Sequence, residues 1–409
     1  MTTADGDLAV AASRLVVARD GDECVLGRPD LGIFVQVPEP GAVFVEALQA
    51  GVSVTGATER ASEVAGEPVD GEDFLATLAE VGLLDASPAA DAGSAGARRT
   101  REIRWIAGIS PRVAARLFGR AAWSVYGTAA VVAVALLVAR PELRPTYESF
   151  WFLGDPMASV LALIPATIVL SCLHEAWHWL AGRAIGLPAV FRVSYRGIFL
   201  VFETDLSQIV TVPRRRRYGP FFAGLAFDAT MLAVFLLLRL ADHRSWLSLP
   251  PLMDRFLGAL VLRQVFAIVW QLAAVFLRND MYAVLTTALR CTNMYRVNAL
   301  TIKDRLARLT PDEARELAEA SDRDRAVAPW FAAIYLAGIV AMFWMFLVAG
   351  LPNMIVMVGW LANSLGAHAA GSPAFWEAVA VAGYLVATLA LPAVLALRER
   401  RLRQRGALS

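Results

Sequence analysis

The chain has 409 residues, of which 57% are hydrophobic and 18% charged. Soluble domains carry about 45–50% apolar and about 25% charged residues, so this excess excludes a disordered chain and argues against an ordinary soluble enzyme. Lysine and arginine number 38 against 37 acidic residues, a net charge of +1, and no bulk positive field points to nucleic acid.

Residues 1–86 read as a small soluble α+β domain. Its start, MTTADGDLAVAAS, has acids and no basic n-region, unlike a secretory signal. Residues 23–37 hold two short β-like runs, with turn residues at Gly27–Asp30 and Gly32. Short helices are expected over 41–49 and 54–65. Over 72–84, Phe74, Leu75, Leu78, Val81 and Leu83 recur close to the helical period. Cys24, Cys172 and Cys291 lie far apart with no CxxC, so no disulfide framework is expected.

Residues 87–118 read as a linker and basic juxtamembrane segment. The stretch 86–97, ASPAADAGSAGA, is small and flexible. A run of arginines follows, from Arg98, Arg99, Arg101 and Arg104 to Arg120.

Residues 119–409 carry the apolar excess. A transmembrane helix needs about 20 mostly apolar residues. Five stretches meet this: about 121–139, 157–181, 217–240, 330–350 and 373–397. A sixth, about 258–289, is interrupted by Arg263, Gln264, Arg278 and Asp280. The segment 351–372 reads as a loop. With the N-terminus inside, the inner loops hold most of the arginines, as the positive-inside rule expects. The expected protein is therefore a polytopic α-helical membrane protein of about six spans. It crosses the cell membrane with both termini in the cytosol. Arg214–Arg217 read as a cytosolic anchor before a span. Trp177 and Trp179 read as packing residues. Arg263 and Gln264 either face a polar cavity or bond within the bundle.

The motif that carries chemistry is His174-Glu175-Ala176-Trp177-His178, an HExxH. On a helix, residues i and i+4 share a face, so both imidazoles reach one metal. Glu175 is then placed to take a proton from water held there. Such residues in an apolar helix are costly to bury and are functional by default. A catalytic zinc takes a third protein ligand and keeps one open position. The candidates are Glu203, Asp205, Asp228, His243, Asp280 and His368. His243 and His368 fall in outer loops, away from the cytosolic depth of His174. Asp280 is preferred because it reaches a similar depth, with Asp228 as its best rival. The ligand types suit one Zn2+ per chain, and a site of two histidines and a carboxylate also suits iron(II).

Three pieces together, HEAWH (174–178), YGPFFAGLAFD (218–228) and LRNDMYAVL (277–285), resemble the site-2-protease-like intramembrane zinc metalloproteases. The resemblance covers about 157–290. It implies an intramembrane endopeptidase with Glu175 as general base and His174, His178 and Asp280 as zinc ligands. Met281 stands where the family usually has glycine, and Tyr282 fits its Asp-Gly-Tyr variant. FETDLSQIVTVPRRRRYGP (202–220) is similar to the connector of the peptide-maturation branch. Asn279 is a candidate for holding the substrate.

The N-terminal layout is similar to PqqD-like domains. These winged-helix-like modules recognise the leader of a ribosomally made precursor peptide as an added strand, a mode in which backbone hydrogen bonds supply affinity. The resemblance implies a precursor peptide as partner, entering from the cytosolic side, and no nucleic acid. Many acids, Asp20, Asp22, Glu23, Asp30, Glu39 and Glu46, also argue against DNA. Two alternatives stand beside this reading. One is a regulatory protease that cuts a transmembrane signalling protein. The other is a non-proteolytic transporter or immunity protein.

Overall fold

The computed structural model describes residues 3–20, 23–84, 109–187, 190–196 and 199–404. The expected linker at 86–97 and the basic residues Arg98, Arg99, Arg101 and Arg104 lie outside them.

Helix α1 (Thr3–Ser13) leads into an antiparallel meander of β1 (Val16–Asp20), β2 (Glu23–Arg28) and β3 (Ile33–Val37). Strand alternation sends Cys24, Leu26 and Val37 inward. They pack on Phe44, Val45 and Leu48 of α2 (Glu39–Gln49). Ala18, Val25 and Gln36 are cross-strand partners on the opposite face. Helices α3 (Val54–Ala65) and α4 (Gly71–Glu80) complete the unit. Gly27 lies within β2, not in the turn expected from its residue type. The ring of its cross-strand partner Phe34 takes the space of a side chain: a Cβ there would come within 2.4 Å of Phe34 Cδ1. The turn itself is tightened by Gly32 at φ 69°.

The remainder is mainly helical. Helices α5 (Pro111–Leu117), α6 (Arg120–Ala139) and α7 (Pro156–Ala184) are followed by the antiparallel hairpin β4 (Val190–Arg196) and β5 (Phe199–Asp205). Then come α8 (Arg214–His243), α9 (Pro251–Ala273), α10 (Asp280–Leu289), α11 (Met294–Arg305), α12 (Pro311–Glu319), α13 (Asp322–Met345), α14 (Leu351–Ala367) and α15 (Pro373–Gln404). Among the described residues, five helical stretches are long and apolar enough to cross a membrane: Pro111–Ala139, Pro156–Ala184, Arg214–His243, Pro251–Ala273 and Asp322–Ala367. This is consistent with a polytopic membrane protein. The expected span 373–397 lies within the continuous helix α15.

Two expectations are corrected. The segment 351–372 is no loop: α14 runs through it to Ala367, joined to α13 by a π-turn at Phe346–Gly350. Pro352 falls in the first turn of α14, where a missing N–H breaks nothing. The stretch 258–289 is not one helix. Helix α9 ends at Ala273, a 3-10 turn covers Val275–Leu277, and Arg278 turns left-handed at φ 59°. Asn279 then caps α10, its Oδ1 accepting from Tyr282 N at 3.1 Å. Asparagine is among the preferred N-cap residues.

Helix α8 is the hub, packed against α6, α7 and α9 and touched by α10. Phe227 of α8 meets Leu163 and Leu170 of α7 and Leu257 and Leu260 of α9 in a common apolar cluster. Trp177 packs on Phe227 at 5.2 Å between ring centres, and Trp179 is buried. The N-terminal unit is fastened to the first turn of α8. Asp20 Oδ2 accepts from Arg214 N at 2.8 Å and lies 3.7 Å from Arg217 Nη2.

Candidate metal centre

Helix α7 starts where Asp155 accepts from Met157 N and Ala158 N, a cap of about 1 kcal/mol. Further along, His174 and His178 turn one face toward α8. Each ring is held through Nδ1. His174 Nδ1 donates to Asp228 Oδ2 at 2.8 Å, and His178 Nδ1 donates to the Pro220 carbonyl at 2.7 Å. With the proton on Nδ1, the neutral ring presents a bare lone pair at Nε2.

Those lone pairs converge. His174 Nε2 and His178 Nε2 are 3.2 Å apart, and Asp280 Oδ2 lies 3.3 Å from the first and 3.2 Å from the second. Three potential ligand atoms facing one another at these distances suit a shared cation. Zinc bonds of about 2.0–2.1 Å give a tetrahedral edge of about 3.3 Å, close to all three separations. Gly224 on α8 supplies the room. A Cβ there would come within 2.3 Å of both Nε2 atoms, occupying the space a metal ion needs. The residues present therefore fit a small divalent metal.

Charge agrees with geometry. Arg263 of α9 lies 3.7 Å from Asp228 Oδ1, donates to Ser171 Oγ at 2.9 Å, and also bonds Gln264 Oε1. Gln264 Nε2 donates to Asp228 Oδ1 at 3.1 Å. Arg263 and Gln264 thus bond within the bundle. The carboxylates of Glu175, Asp228 and Asp280 with the Arg263 guanidinium leave two formal negative charges, which one divalent cation cancels. In apolar surroundings such cancellation is what makes the cluster affordable.

Asp280 opens α10 directly after the helix break and is held by Gln271 Nε2, which donates to Oδ2 at 2.7 Å. Asn279 is committed on both sides: its Oδ1 caps α10, and its Nδ2 donates to the Gln271 carbonyl at 2.7 Å. Glu175 groups with the two histidines within 4.8 Å, and Thr204 Oγ1 of β5 lies 3.1 Å from its Oε2. The pocket is lopsided. Asp280 keeps 31% of its side chain accessible, against 11% for His174, 4% for His178 and 2% for Asp228. Glu175 is likewise part-exposed.

The structure therefore brings His174, Glu175, His178 and Asp280 together. Asp228, the rival ligand, stands behind His174 instead, at its Nδ1. His243 lies 3.9 Å from Asp254, and His368 bonds the Ser364 carbonyl. The side chains of Glu203 and Asp205 lie outside those described. Sequence reasoning missed Gly224, Gln271 and Thr204. The first had a signal: Gly224 and Asp228 are four residues apart, so they share the face of α8 that meets the motif. Comparison with protein-family models, with curated proteins and with solved structures yields no match.

Proposed function

We propose that the chain is an intramembrane zinc endopeptidase of the site-2-protease-like kind, acting on a ribosomally made precursor peptide. The observation that carries this reading is the convergence of His174 Nε2, His178 Nε2 and Asp280 Oδ2 in front of Gly224, with Glu175 beside them. Those three atoms would hold the metal. When bound, zinc supplies a Lewis acid that polarises a peptide carbonyl and makes water more acidic. Glu175 takes the proton of the attacking water as the C–O bond forms. It then delivers that proton to the amide nitrogen as the C–N bond breaks. Asp228 and the Pro220 carbonyl hold the two imidazoles in the tautomer and direction that ligation requires.

The N-terminal unit supports a peptide substrate. Its sheet ends at β3, against which no further strand pairs among the described residues. Such an edge is a template for an extended peptide. On this reading the unit is cytosolic, as are both termini, and the metal centre is reached from the same side. Asn279 spends one Nδ2 proton on the Gln271 carbonyl and keeps a second, which on this reading is offered to the substrate backbone.

The test uses detergent-purified full-length protein. Metal content is read by mass spectrometry, and a proteome-derived peptide library is incubated with wild type and with Glu175→Gln. One zinc per chain in both proteins, and cleavage by wild type alone, are expected. One zinc without any Glu175-dependent cleavage counts against a peptidase.

A further inference from the structure

A cavity of about 310 Å³ lies between the N-terminal sheet and the helical bundle. Its volume is at the lower end of the range for specific ligand pockets, about 300–1,000 Å³. One wall is the outward sheet face, with Phe34 and Gln36 of β3. Opposite stand Ala283, Thr286 and Thr287 of α10. Phe221 of α8 forms part of the floor.

Two of the elements that build the metal centre, α8 and α10, also line the cavity. Asp280, Ala283 and Thr287 follow one another at i, i+3 and i+7, so they line a single face of α10. The face that begins with a proposed ligand therefore runs into the cavity. Phe221 directly follows Pro220, whose carbonyl orients His178. Asp280 is also more accessible than either histidine.

We propose that this cavity is a substrate channel. It holds the extended segment just N-terminal to the scissile bond, on its way from the β3 edge to the metal. The inference rests on the peptidase reading above. Dimensions fix its reach. Asp280 to Thr287 spans about 10 Å of helix, and about three extended residues cover that length. The alanine and threonine wall favours small side chains at the two positions nearest the metal. A bulky residue there meets α10.

The probe is a tripeptide hydroxamate, two alanines preceded by p-benzoylphenylalanine, offered to the full-length cobalt-substituted protein. Hydroxamate binding is read from the visible cobalt spectrum, and photolabelled residues are mapped by mass spectrometry. Labelling is expected within residues 34–36 or 283–292. Ala283→Trp should weaken tripeptide binding at least tenfold and leave binding of acetohydroxamate, which has no peptide part, unchanged. Thr287→Trp should act alike and serves where the first variant does not fold. Acetohydroxamate binding with the tripeptide labelling some other surface, or with unchanged tripeptide affinity in both variants, overturns the channel alone. A protein that takes up no metal, or whose metal binds neither hydroxamate, overturns the peptidase reading and the channel together.

Discussion

Asp228 Oδ2 accepts the Nδ1 proton of His174 at 2.8 Å, joining α8 to α7 behind the proposed metal. The carboxylate fixes the ring's tautomer and makes Nε2 a stronger donor toward a cation. Outer partners of this kind are typically worth about 10–100-fold in metal affinity. Asp228→Ala should lower zinc affinity by that order, measured against a chromophoric chelator. Asp228→Asn keeps an acceptor without the charge and should fall between. Equal affinities in all three proteins would remove the orienting role.

Gly224 makes a sharper case. Any side chain there enters the space between the two Nε2 atoms, 2.3 Å from each. Gly224→Ala should leave helical content, read by circular dichroism, close to wild type, because alanine favours helices over glycine. Its zinc content should drop to background. Full zinc occupancy in that variant would place the ion elsewhere.

Asp20 is the fastening between the two parts of the molecule. Its carboxylate meets Arg214 N and Nε and Arg217 Nη2. Asp20→Ala should raise hydrogen exchange over residues 209–217 and leave zinc content unchanged. Protection equal to wild type would show that the cavity walls hold the unit without this contact.

Cys24 gives a pH-dependent signal. Its thiol is buried and donates to Glu39 Oε2 at 2.8 Å, and burial first, then the carboxylate, push it up to about 11. An unfolded thiol titrates at about 8.5. The stabilisation is therefore complete below about 8.5 and lost as pH rises through about 11. Glu39, held low by the Cys24 bond, acts in the opposite sense: its contribution is present above the ordinary carboxylate range and is lost on acidification. At pH 8 iodoacetamide should spare Cys24 in the folded chain and modify it in denaturant. Peptide mapping at pH 8 and 11 checks this, and rapid alkylation of folded Cys24 at pH 8 would contradict it.

The parts of this arrangement legible in the sequence are those written in local spacing. The HExxH at 174–178 places two imidazoles on one helical face without reference to anything else. The apolar runs locate α6, α7 and α8 within a few residues. Asp280 was reachable by depth along a presumed continuous helix, yet it reaches the histidines through a break. The tight turn, left-handed Arg278 and Asn279 cap let α10 start afresh beside Gln271. Asp228 illustrates the opposite difficulty. A buried aspartate near two histidines reads equally as ligand or as support. Only the choice of Nδ1 over Nε2, a matter of tertiary packing, separates them. The helix at 351–367 was hidden by Gly350 and Pro352, breakers that a π-turn and a first-turn position render harmless.

Arg214 and Gly224 belong to the same helix, about 15 Å apart along its axis, with Pro220 between them. The first turn is gripped by Asp20 of the N-terminal unit, and Gly224, about three turns on, leaves the gap between the two imidazoles. The seat of the N-terminal unit and the room for an ion are therefore two properties of one stretch of α8.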